Sequence, residues 1–486
     1  MVSHGTVKNE ELQANLVVVG GGGAGLAAAV VASQKGVNNI ILLEARRTIG
    51  GNSVFAGGLF APKRRPQKRS DINPLSDELF KKAMSYAHWK TNPRLVRALI
   101  DKSQDITQWL EEKGLKFEWI TDPHLGQLSV RTSGTTKTGA EVVKALTKNC
   151  EDLGVQILRQ NKAKKLLISE ESKVIGVLAE AKGKEVRIIS KSVIIATGGF
   201  AGNKELLKRY CPFYSEDGIY LKGLPHQGDG LLIASEAGAA TDGMIMLEIS
   251  PHMFLGTSHL SIFFRRPKVI WVNRKGERFT DETVIFSFPE TSNSIYRQPD
   301  KTAYILFDEN IKQNIIKEEL NSQEEQTVDK GSWTSGVDKD LRLYAEKRIV
   351  KISDSWDEIA KWIGSDLEVL KTTIDKYNTD CDNGYDDIFV KNRKYLLPLR
   401  TPPYYAIKNK LSLLVTHGGL KINHNMEVLD NQGDSIQGLY AAGNDTGDVD
   451  SDSYNITLPG HSFGFAINTG RIAGESAAEF VLRIKF

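Results

Sequence analysis

The chain has 486 residues, of which 40% are hydrophobic, 43 are Gly and 15 are Pro, a composition that excludes collagen-like, disordered and disulfide-framework proteins. Its 63 basic and 60 acidic residues give a formal charge of +3, which is too small to indicate nucleic-acid binding. Three scattered cysteines, Cys150, Cys211 and Cys381, lack zinc-site spacing and are typical of a reducing compartment, so we expect a cytoplasmic protein without a metal site. No apolar run predicts a membrane span, and residues 1–15 do not resemble a signal peptide.

The first chemical signal is a glycine-rich turn near the N-terminus. Residues 16–19 are a β-branched run that predicts a buried strand, and residues 26–31 are an alanine-rich segment that predicts a helix. The GxGxxG pattern at residues 20–25 permits a tight turn, the approach of a diphosphate, and close packing of helix on strand. A second strand, residues 40–43, ends at Glu44, whose carboxylate can accept both hydroxyls of an adenosine ribose. This order of elements predicts a dinucleotide site.

The next segment favours a flavin over a nicotinamide. Residues 44–60 read EARRTIGGNSVFAGGLF, and their two glycine pairs let the backbone pass close to a flat ligand. The segment resembles the flavin side of the fumarate reductase and succinate dehydrogenase flavoprotein superfamily, which includes L-aspartate oxidase and 3-ketosteroid dehydrogenases. In that superfamily these glycines run beside the pyrophosphate and isoalloxazine of FAD. The segment lacks the His to which membrane-complex members attach FAD, so the resemblance implies non-covalent FAD.

The middle of the first half is predicted to be helical and then β-rich. Helices are predicted over 75–90, 93–113 and 139–153, and antiparallel strands over 155–158, 164–168, 173–180 and 185–190. A basic loop at 63–69 is interpreted as solvated, with a docking surface for an acidic electron donor as the alternative.

Further motifs extend the resemblance over nearly the whole chain. They are a strand over 193–196 ending in ATGG, a GDG turn at 228–230 before a helix, GLYAAG at 438–443, and LPGHSFG at 458–464. The family places Glu after GLYAAG, where this chain has the uncharged Asn444. The resemblance implies FAD contacts from Gly20, Gly22, Ala24, Gly25, Glu44, Ala45, Gly51, Asn52, Ser53, Ala56, Gly57, Gly58, Ala163, Thr197, Gly198, Gly199, Asn203, Gly228, Asp229, Gly443, Asn444, Asp445, Gly460, Ser462 and Phe463.

The resemblance also implies the fold class and the domain organisation. We expect an α/β protein with a discontinuous, Rossmann-like FAD-binding domain, residues 1–245 and 410–486. An α+β capping domain, residues 246–409, is expected to be inserted between the two parts.

The substrate arginines of fumarate reductases are largely missing. Counting from the family-like NRKGERF at 273–279, the proton-donor Arg falls on Phe286, and the second substrate Arg falls on Thr457. Arg265 and His252 match family positions. A buried dicarboxylate needs cationic partners, so the sequence predicts a non-fumarate member with a less polar, neutral or monoanionic substrate.

Four residues are predicted to be catalytic, each with a structural alternative. His417 can donate a proton or be a turn histidine, and Tyr454 can donate a proton or pack in a loop. Arg265 can clamp substrate or be solvated, and His252 can line the cleft or belong to the core.

Two further features stay open. His461, at a predicted helix N-terminus, is expected either to bond flavin or substrate or to be structural. The alternating Asp448, Asp450 and Asp452 suggest a cation site, but they lack the rest of an EF-hand pattern and are interpreted as a solvated turn.

The sequence thus predicts an FAD-dependent oxidoreductase that reduces or forms a carbon–carbon double bond beside a carbonyl, by hydride exchange with flavin N5. The alternatives are a 3-ketosteroid dehydrogenase and a flavin electron-transfer subunit without its own substrate. The sequence has neither a second dinucleotide motif nor a CxxCH haem motif. We therefore expect electrons to be exchanged with a separate protein, a quinone or free flavin.

Overall fold

A β-branched run near the N-terminus, Leu16 to Val19, is buried at the centre of the largest sheet. The computed structural model describes residues 10–62, 74–122, 126–135, 137–244, 247–250, 258–322 and 330–484. It separates into two compact units. The first contains Met1–Pro212, Gly223–Glu248 and Val415–Phe486, and the second contains Phe213–Lys222 and Ile249–Leu414. The predicted basic loop at 63–69 lies outside the described residues.

The helices and strands are numbered in chain order. The helices are α1 (Gly23–Gln34), α2 (Pro74–Tyr86), α3 (Pro93–Lys102), α4 (Ile106–Glu111), α5 (Thr138–Asp152), α6 (Lys204–Tyr210), α7 (Asp229–Glu236), α8 (Phe288–Tyr296), α9 (Glu309–Ser322), α10 (Lys330–Glu346), α11 (Trp356–Ile363), α12 (Leu367–Asn383) and α13 (His461–Arg483). The strands are β1 (Glu10–Val19), β2 (Ile40–Glu44), β3 (Leu59–Phe60), β4 (Phe117–Asp122), β5 (Gly126–Thr132), β6 (Gln156–Arg159), β7 (Asn161–Ile168), β8 (Val174–Ala181), β9 (Lys184–Ile195), β10 (Ile219–Leu221), β11 (Thr241–Asp242), β12 (Leu247–Ser250), β13 (Ile270–Val272), β14 (Thr302–Asp308), β15 (Val350–Ser353), β16 (Tyr404–Thr416), β17 (Gly419–Leu420), β18 (Glu427–Leu429) and β19 (Ser435–Ala441).

The main sheet of the first unit is mostly parallel. Its order is β18-β19-β9-β1-β2-β6, with β8 also pairing with β9 and β7 with β8. Strands β6, β2, β1, β9 and β19 are parallel, so their carboxyl ends lie at one edge of the sheet. Such sheets bury apolar strands under helices on both faces, which confirms the predicted α/β, Rossmann-like class.

Helix α1 follows β1 directly and is buried from Gly23 to Ala32. It packs against α13, whose Gly470 and Gly474 lie on the backbone of Ala24 and Ala28. A methyl group on Gly470 would lie 2.2 Å from the Ala24 carbonyl oxygen, and one on Gly474 would lie 2.5 Å from that of Ala28. Glycine at these two positions therefore permits the close approach of the two helices.

Two strand predictions are wrong in detail. The runs at 185–190 and 193–196 belong to one strand, β9, because its polar residues are satisfied inside the sheet. The Ser190 hydroxyl donates to the Ser192 carbonyl at 3.0 Å, and the Ser192 hydroxyl donates to the Gly438 carbonyl at 3.1 Å. The run at 155–158 corresponds to β6, which extends the parallel sheet beside β2 instead of joining the antiparallel meander of β7, β8 and β9.

The second unit is built on a sheet with the order β10-β16-β14-β13, and β12 and β15 also pair with β16. Beneath it, the sequence NRKGERF leads into a buried charge network. Arg278 pairs with Glu282 at 2.8 Å and with Asp386 at 2.7 Å, and Lys391 pairs with Glu282 at 2.9 Å. Among the described residues, none of the helices is both long and apolar enough for a bilayer span.

Candidate functional site

Four loops of the first unit follow the carboxyl ends of parallel strands and therefore meet at one edge of the sheet. They follow β1, β2, β9 and β19, and they contain most of the positions predicted to hold FAD. The Gly21 amide donates to the Glu44 carboxylate at 3.0 Å, and the Gly23 amide donates to the Ser53 hydroxyl at 3.0 Å. The glycine turn, the acidic strand end and the GGNS segment are thus joined by direct hydrogen bonds.

The three fingerprint glycines meet different surroundings. A methyl group on Gly20, whose φ is +114°, would lie 2.1 Å from the Ala196 carbonyl oxygen, and one on Gly25 would lie 1.9 Å from the Gly20 carbonyl oxygen. The corresponding methyl on Gly22 has no protein atom nearer than the Gly50 carbonyl oxygen at 3.9 Å. Gly20 and Gly25 therefore serve packing, and Gly22 leaves a cradle before the amino end of α1. This cradle fits the diphosphate of a dinucleotide, since both close backbone approach and the positive amino end of a helix favour a phosphate there.

Asp445 organises the loop after β9. Its buried carboxylate accepts the Gly198 amide at 3.2 Å, the Gly199 amide at 3.0 Å and the Thr197 hydroxyl at 2.9 Å. The Thr197 amide also donates to it. Burial raises the pKa of Asp445, whereas the four donors favour its ionised form. All four donors belong to the loop after β9, whereas Asp445 belongs to the loop after β19. The Asp445 side chain therefore holds these two loops together.

The other predicted FAD residues surround these loops, and several have internal roles. The Asn52 side chain accepts from the Leu224 amide at 2.9 Å, and the Asn203 side chain caps α6. Gly228 and Gly460 cap α7 and α13 in the left-handed conformation, with φ of +78° at both. Asp229 pairs with Lys162 at 2.9 Å. Of the remaining positions, Ala24, Ala163, Gly443 and Phe463 are buried, Ala45 is exposed, and Ala56, Gly57, Gly58, Asn444 and Ser462 lie in or beside the loops at this edge.

A cluster of two histidines and one aspartate lies next to this edge. His417 Nδ1 is 2.8 Å from Asp450 Oδ2, and His461 Nε2 is 3.0 Å from both oxygens of the same carboxylate. All three side chains are at most 5% exposed. Burial alone would raise the pKa of Asp450, but its hydrogen bonds and charge interactions with His461 and His417 hold this pKa well below its usual range.

The hydrogen-bond partners fix the protonation of His461. Its Nδ1 is 3.0 Å from the Leu458 carbonyl, and its Nε2 faces the Asp450 carboxylate. Both partners are acceptors, so both ring nitrogens must donate and His461 is an imidazolium. Neither nitrogen is then left to bond flavin or substrate, so the structural interpretation of His461 holds.

From the sequence, the aspartates are interpreted as a solvated turn. This interpretation is wrong for Asp450, which is buried. It is correct for Asp452, which is exposed and pairs with Lys90 at 2.9 Å. Asp448 is half-buried, and burial together with Asp242 raises its pKa to about 7. The ligand atoms of His417, Asp450 and His461 lie within 4.8 Å of one another, as in a metal site. However, the nitrogen–oxygen separations are those of hydrogen bonds, so we interpret the cluster as an ion pair that shares protons.

The second nitrogen of His417 faces the start of α13. His417 Nε2 is 3.2 Å from the Ser462 hydroxyl, and the half-buried Tyr454 ring stands edge-on to His417 at 5.8 Å between centroids. The adjacent Thr416 hydroxyl accepts from the Phe200 amide at 3.2 Å, in the loop after β9. His417 therefore belongs to the same edge as the glycine cradle, with Tyr454 and Ser462 beside it.

The other two predicted catalytic residues belong to the second unit or are not described. Arg265 ends a short 3₁₀ helix of the second unit and is exposed, with Nη2 3.3 Å from the Ser261 hydroxyl. Its neighbour Arg266 pairs with Glu319 at 2.6 Å. His252 lies outside the described residues. Phe286, which the sequence count places at the expected donor-Arg position, is 61% exposed and tilts against Tyr395 at 6.2 Å.

Several known flavoproteins are similar to this chain. The family model described as "FAD binding domain" matches residues 15–454. The chain is 30% identical to a vinyl phenol reductase of Lactiplantibacillus plantarum, over 91% of this chain and 92% of that protein. Its fold matches a flavocytochrome c3 fumarate reductase in an open conformation with a TM-score of 0.74 and 27% identity, over 97% of this chain and 79% of the other. It also matches a 3-ketosteroid Δ1-dehydrogenase from Sterolibacterium denitrificans with a TM-score of 0.77, over 96% and 99% of the two chains. At 18% identity this last match shows the fold alone.

Proposed function

We propose that this chain, which belongs to the FAD binding domain family, is an oxidoreductase that uses FAD to reduce or form a carbon–carbon double bond conjugated with a carbonyl or a phenol ring. The observation that carries the proposal is the buried His417, which is held by Asp450 and follows Thr416, whose hydroxyl accepts from the Phe200 amide in the loop after β9. We further propose that FAD is non-covalent, since residues 50–53 contain no His.

Bound FAD would supply a hydride donor or acceptor at N5. The chain's own contribution is the proton that accompanies the hydride. His417 Nδ1 donates to Asp450, which leaves Nε2 as the position that releases or takes up this proton. The Ser462 hydroxyl, 3.2 Å from Nε2, can pass it on. Asp450 and His461 do not touch substrate in this proposal; they position His417 and keep its Nδ1 protonated.

The substrate is proposed to be neutral and partly aromatic. Phe286 offers an exposed ring where fumarate reductases have a cation, and Thr457 is hydrogen-bonded to Asn455 at 2.6 Å. Without either arginine, a dicarboxylate would lose two charge-assisted contacts. The named activity of the vinyl phenol reductase supports a substrate of this class. We propose that the second unit is the capping domain expected at residues 246–409, and that a separate donor supplies the electrons.

The test is an anaerobic reoxidation experiment. The FAD-loaded protein is reduced by light, and vinyl phenols, enoates, enones, steroids and fumarate are added separately while flavin absorbance is followed. We expect a vinyl phenol or a neutral enone to reoxidise the flavin at least tenfold faster than fumarate. If the protein binds FAD but none of these compounds reoxidises it, the proposal is wrong and the electron-transfer alternative gains support.

A further inference from the structure

One imidazole outside the glycine fingerprint lies among its glycines. A methyl group on Gly198 would be 3.0 Å from His226 Cε1 and 3.2 Å from His226 Nε2, and a methyl on Gly51 would be 3.9 Å from Cε1. The same methyl on Gly51 would be 3.8 Å from the Gly22 Cα. The ring of His226 therefore lies beside Gly198 and Gly51, and Gly51 in turn lies next to Gly22 of the cradle.

The backbone of His226 is anchored. The His226 amide donates to the Leu224 carbonyl at 2.7 Å, and the His226 carbonyl accepts from the Gly202 amide at 2.8 Å. A neutral imidazole has one donor nitrogen and one acceptor nitrogen, and protonation converts the acceptor into a second donor.

Burial and a nearby positive charge disfavour protonation of the ring. Burial, followed by Arg46 from the loop after β2, lowers the pKa of His226 to about 4, and the Thr197 backbone and Asp229 oppose this only in part. Asp229, at the start of α7, is itself paired with Lys162 of β7 at 2.9 Å. The ring is consequently neutral near pH 7, in a place where Arg46 supplies positive charge.

We propose that His226 and Arg46 together bind the diphosphate of the dinucleotide, and that His226 takes up a proton when it does so. This inference rests on the proposed function, because it assumes FAD as the ligand. A dianionic diphosphate would attract both Arg46 and a protonated His226 ring, and these attractions would offset the repulsion that Arg46 exerts on the protonated ring. The protonated ring would then donate through its second nitrogen. The reaction is a simple proton uptake from solvent on binding.

The direction of the pH dependence follows from linkage. A group that is protonated in the complex and neutral in the free protein makes binding tighter as pH falls, by at most about tenfold per pH unit for one proton. We therefore expect the FAD dissociation constant of the wild-type apoprotein to decrease as pH is lowered from 8 to 5. Calorimetry in two buffers of different ionisation enthalpy should show up to one proton taken up.

The test compares His226→Gln, His226→Phe and wild type, with FAD binding followed by flavin fluorescence. Gln keeps a donor but cannot titrate, so we expect its dissociation constant to be about tenfold higher at pH 6 and independent of pH. Phe removes the donor and should bind more weakly than Gln at every pH. Exposed His424 provides the matched control, and His424→Gln should behave as wild type. Thermal melting of each apoprotein verifies that the variants fold.

Two outcomes separate the inference from the proposed function. If the wild-type apoprotein binds no FAD, the proposed function fails and the inference fails with it. If wild type binds FAD, but the His226 variants bind with an unchanged or lower dissociation constant and the same pH slope, only the role of His226 is refuted.

Discussion

The carboxylate of Asp450 determines where protons reside in its cluster. It accepts the Asn455 amide at 2.8 Å in addition to the two imidazoles, so both carboxylate oxygens have donors from the protein. A buried charge that is satisfied in this way stabilises the fold only while its partners remain, since removal of one member leaves the other charge unpaired.

We predict that Asp450→Asn lowers the free energy of unfolding at pH 7 by about 3–5 kcal/mol, because the His461 imidazolium would lose its counter-ion. Urea denaturation of the apoprotein measures this. Asp452→Asn is the matched control from the same run of aspartates, and its exposed pair with Lys90 should be worth less than about 1 kcal/mol. Equal effects of the two substitutions would contradict the structural account of the cluster.

The same carboxylate should give a pH dependence of defined sign. The pKa of Asp450 is depressed in the folded state, so its contribution is present above the unfolded pKa, about 3.9, and is lost as pH falls toward the folded pKa. We predict that the stability difference between wild type and Asp450→Asn shrinks as pH falls below about 4, where the Asp450 carboxylate of the unfolded chain becomes protonated. Denaturation curves between about pH 5 and pH 2 test this, and a difference that grows over that interval would contradict it.

We predict that His417→Gln reduces kcat about 10²–10⁴-fold with an unchanged FAD dissociation constant, because the variant keeps a polar side chain but cannot exchange a proton at pH 7. Rates are measured with the substrate found by reoxidation and an artificial electron donor. Tyr454→Phe keeps the ring contact beside His417 and serves as the comparison. Full turnover of His417→Gln would remove His417 from the proton-transfer step.

The sequence was informative about residue types but not about their pairing. The place of His417 before a glycine pair makes it a candidate, whereas the aspartates around Asp450 lack the Gly and Glu of an EF-hand and are therefore interpreted as a solvated turn. Burial of Asp450 depends on His417 and His461, which reach it from separate segments. Because these three residues come from separate segments, no local sequence pattern predicts the contacts between them.

At the scale of elements, the glycine turn and its flanking helix permit a paired test. We predict that Gly22→Ala leaves the stability of the apoprotein nearly unchanged. The nearest protein atom to the added methyl would be the Gly50 carbonyl oxygen at 3.9 Å, and the φ of −78° suits alanine. Its FAD dissociation constant should rise at least about tenfold, because the methyl would occupy the diphosphate cradle. Fluorescence titration and thermal melting measure the two effects.

Gly20→Ala is the matched variant on the same turn. Its methyl would meet the Ala196 carbonyl oxygen at 2.1 Å, at a φ of +114°. We expect a loss of at least about 2 kcal/mol of stability, from overpacking and backbone strain together. If Gly22→Ala destabilises the apoprotein as much as Gly20→Ala does, or if it binds FAD normally, the cradle has been misplaced.

The contact between helices α1 and α13 predicts whether a Gly→Ala substitution stabilises or destabilises the protein. On an exposed helix face, Gly→Ala stabilises by up to about 1 kcal/mol. At Gly474 the added methyl would lie 2.5 Å from the Ala28 carbonyl oxygen, so we predict that Gly474→Ala destabilises the apoprotein by about 1–3 kcal/mol. Glu479→Ala on the exposed face of the same helix is the control. Urea denaturation that shows stabilisation by Gly474→Ala would contradict the observed contact.

Elements with strong periodicity were predictable, and those with polar interruptions were not. The helices at 75–90 and 139–153 correspond to α2 and α5, whereas the one at 93–113 is divided into α3 and α4 by a 3₁₀ turn, Ser103–Asp105. The sequence predicts two separate runs, 185–190 and 193–196, where the structure has the single strand β9, because Ser190 and Ser192 find hydrogen-bond partners within the folded sheet.

At the scale of the whole molecule, the edge that carries the cradle is assembled from both ends of the chain. Periodicity alone predicts strands near residues 16–19 and 439–441 but not that they share a sheet; the family resemblance supplied that expectation. In the structure, β1 and β19 both pair with β9, Val17 opposite Val193 and Leu439 opposite Val193. Parallel pairing aligns their carboxyl ends, and this alignment places the loops that follow them side by side.

This assembly predicts the pattern of hydrogen exchange when FAD is added. Ligand binding stabilises the folded state by mass action, by about 2.7 kcal/mol at a hundredfold excess over the dissociation constant, and slows exchange most at the amides that contact the ligand. We predict simultaneous protection of peptides covering 20–26, 44–53, 197–203 and 443–463, because these loops follow parallel strands of one sheet. Peptides covering β7 and β8 at 165–180, away from those strand ends, provide the internal control. Mass spectrometry of the apoprotein with and without FAD measures this, and protection limited to the N-terminal loops would show that the C-terminal segment takes no part in the site.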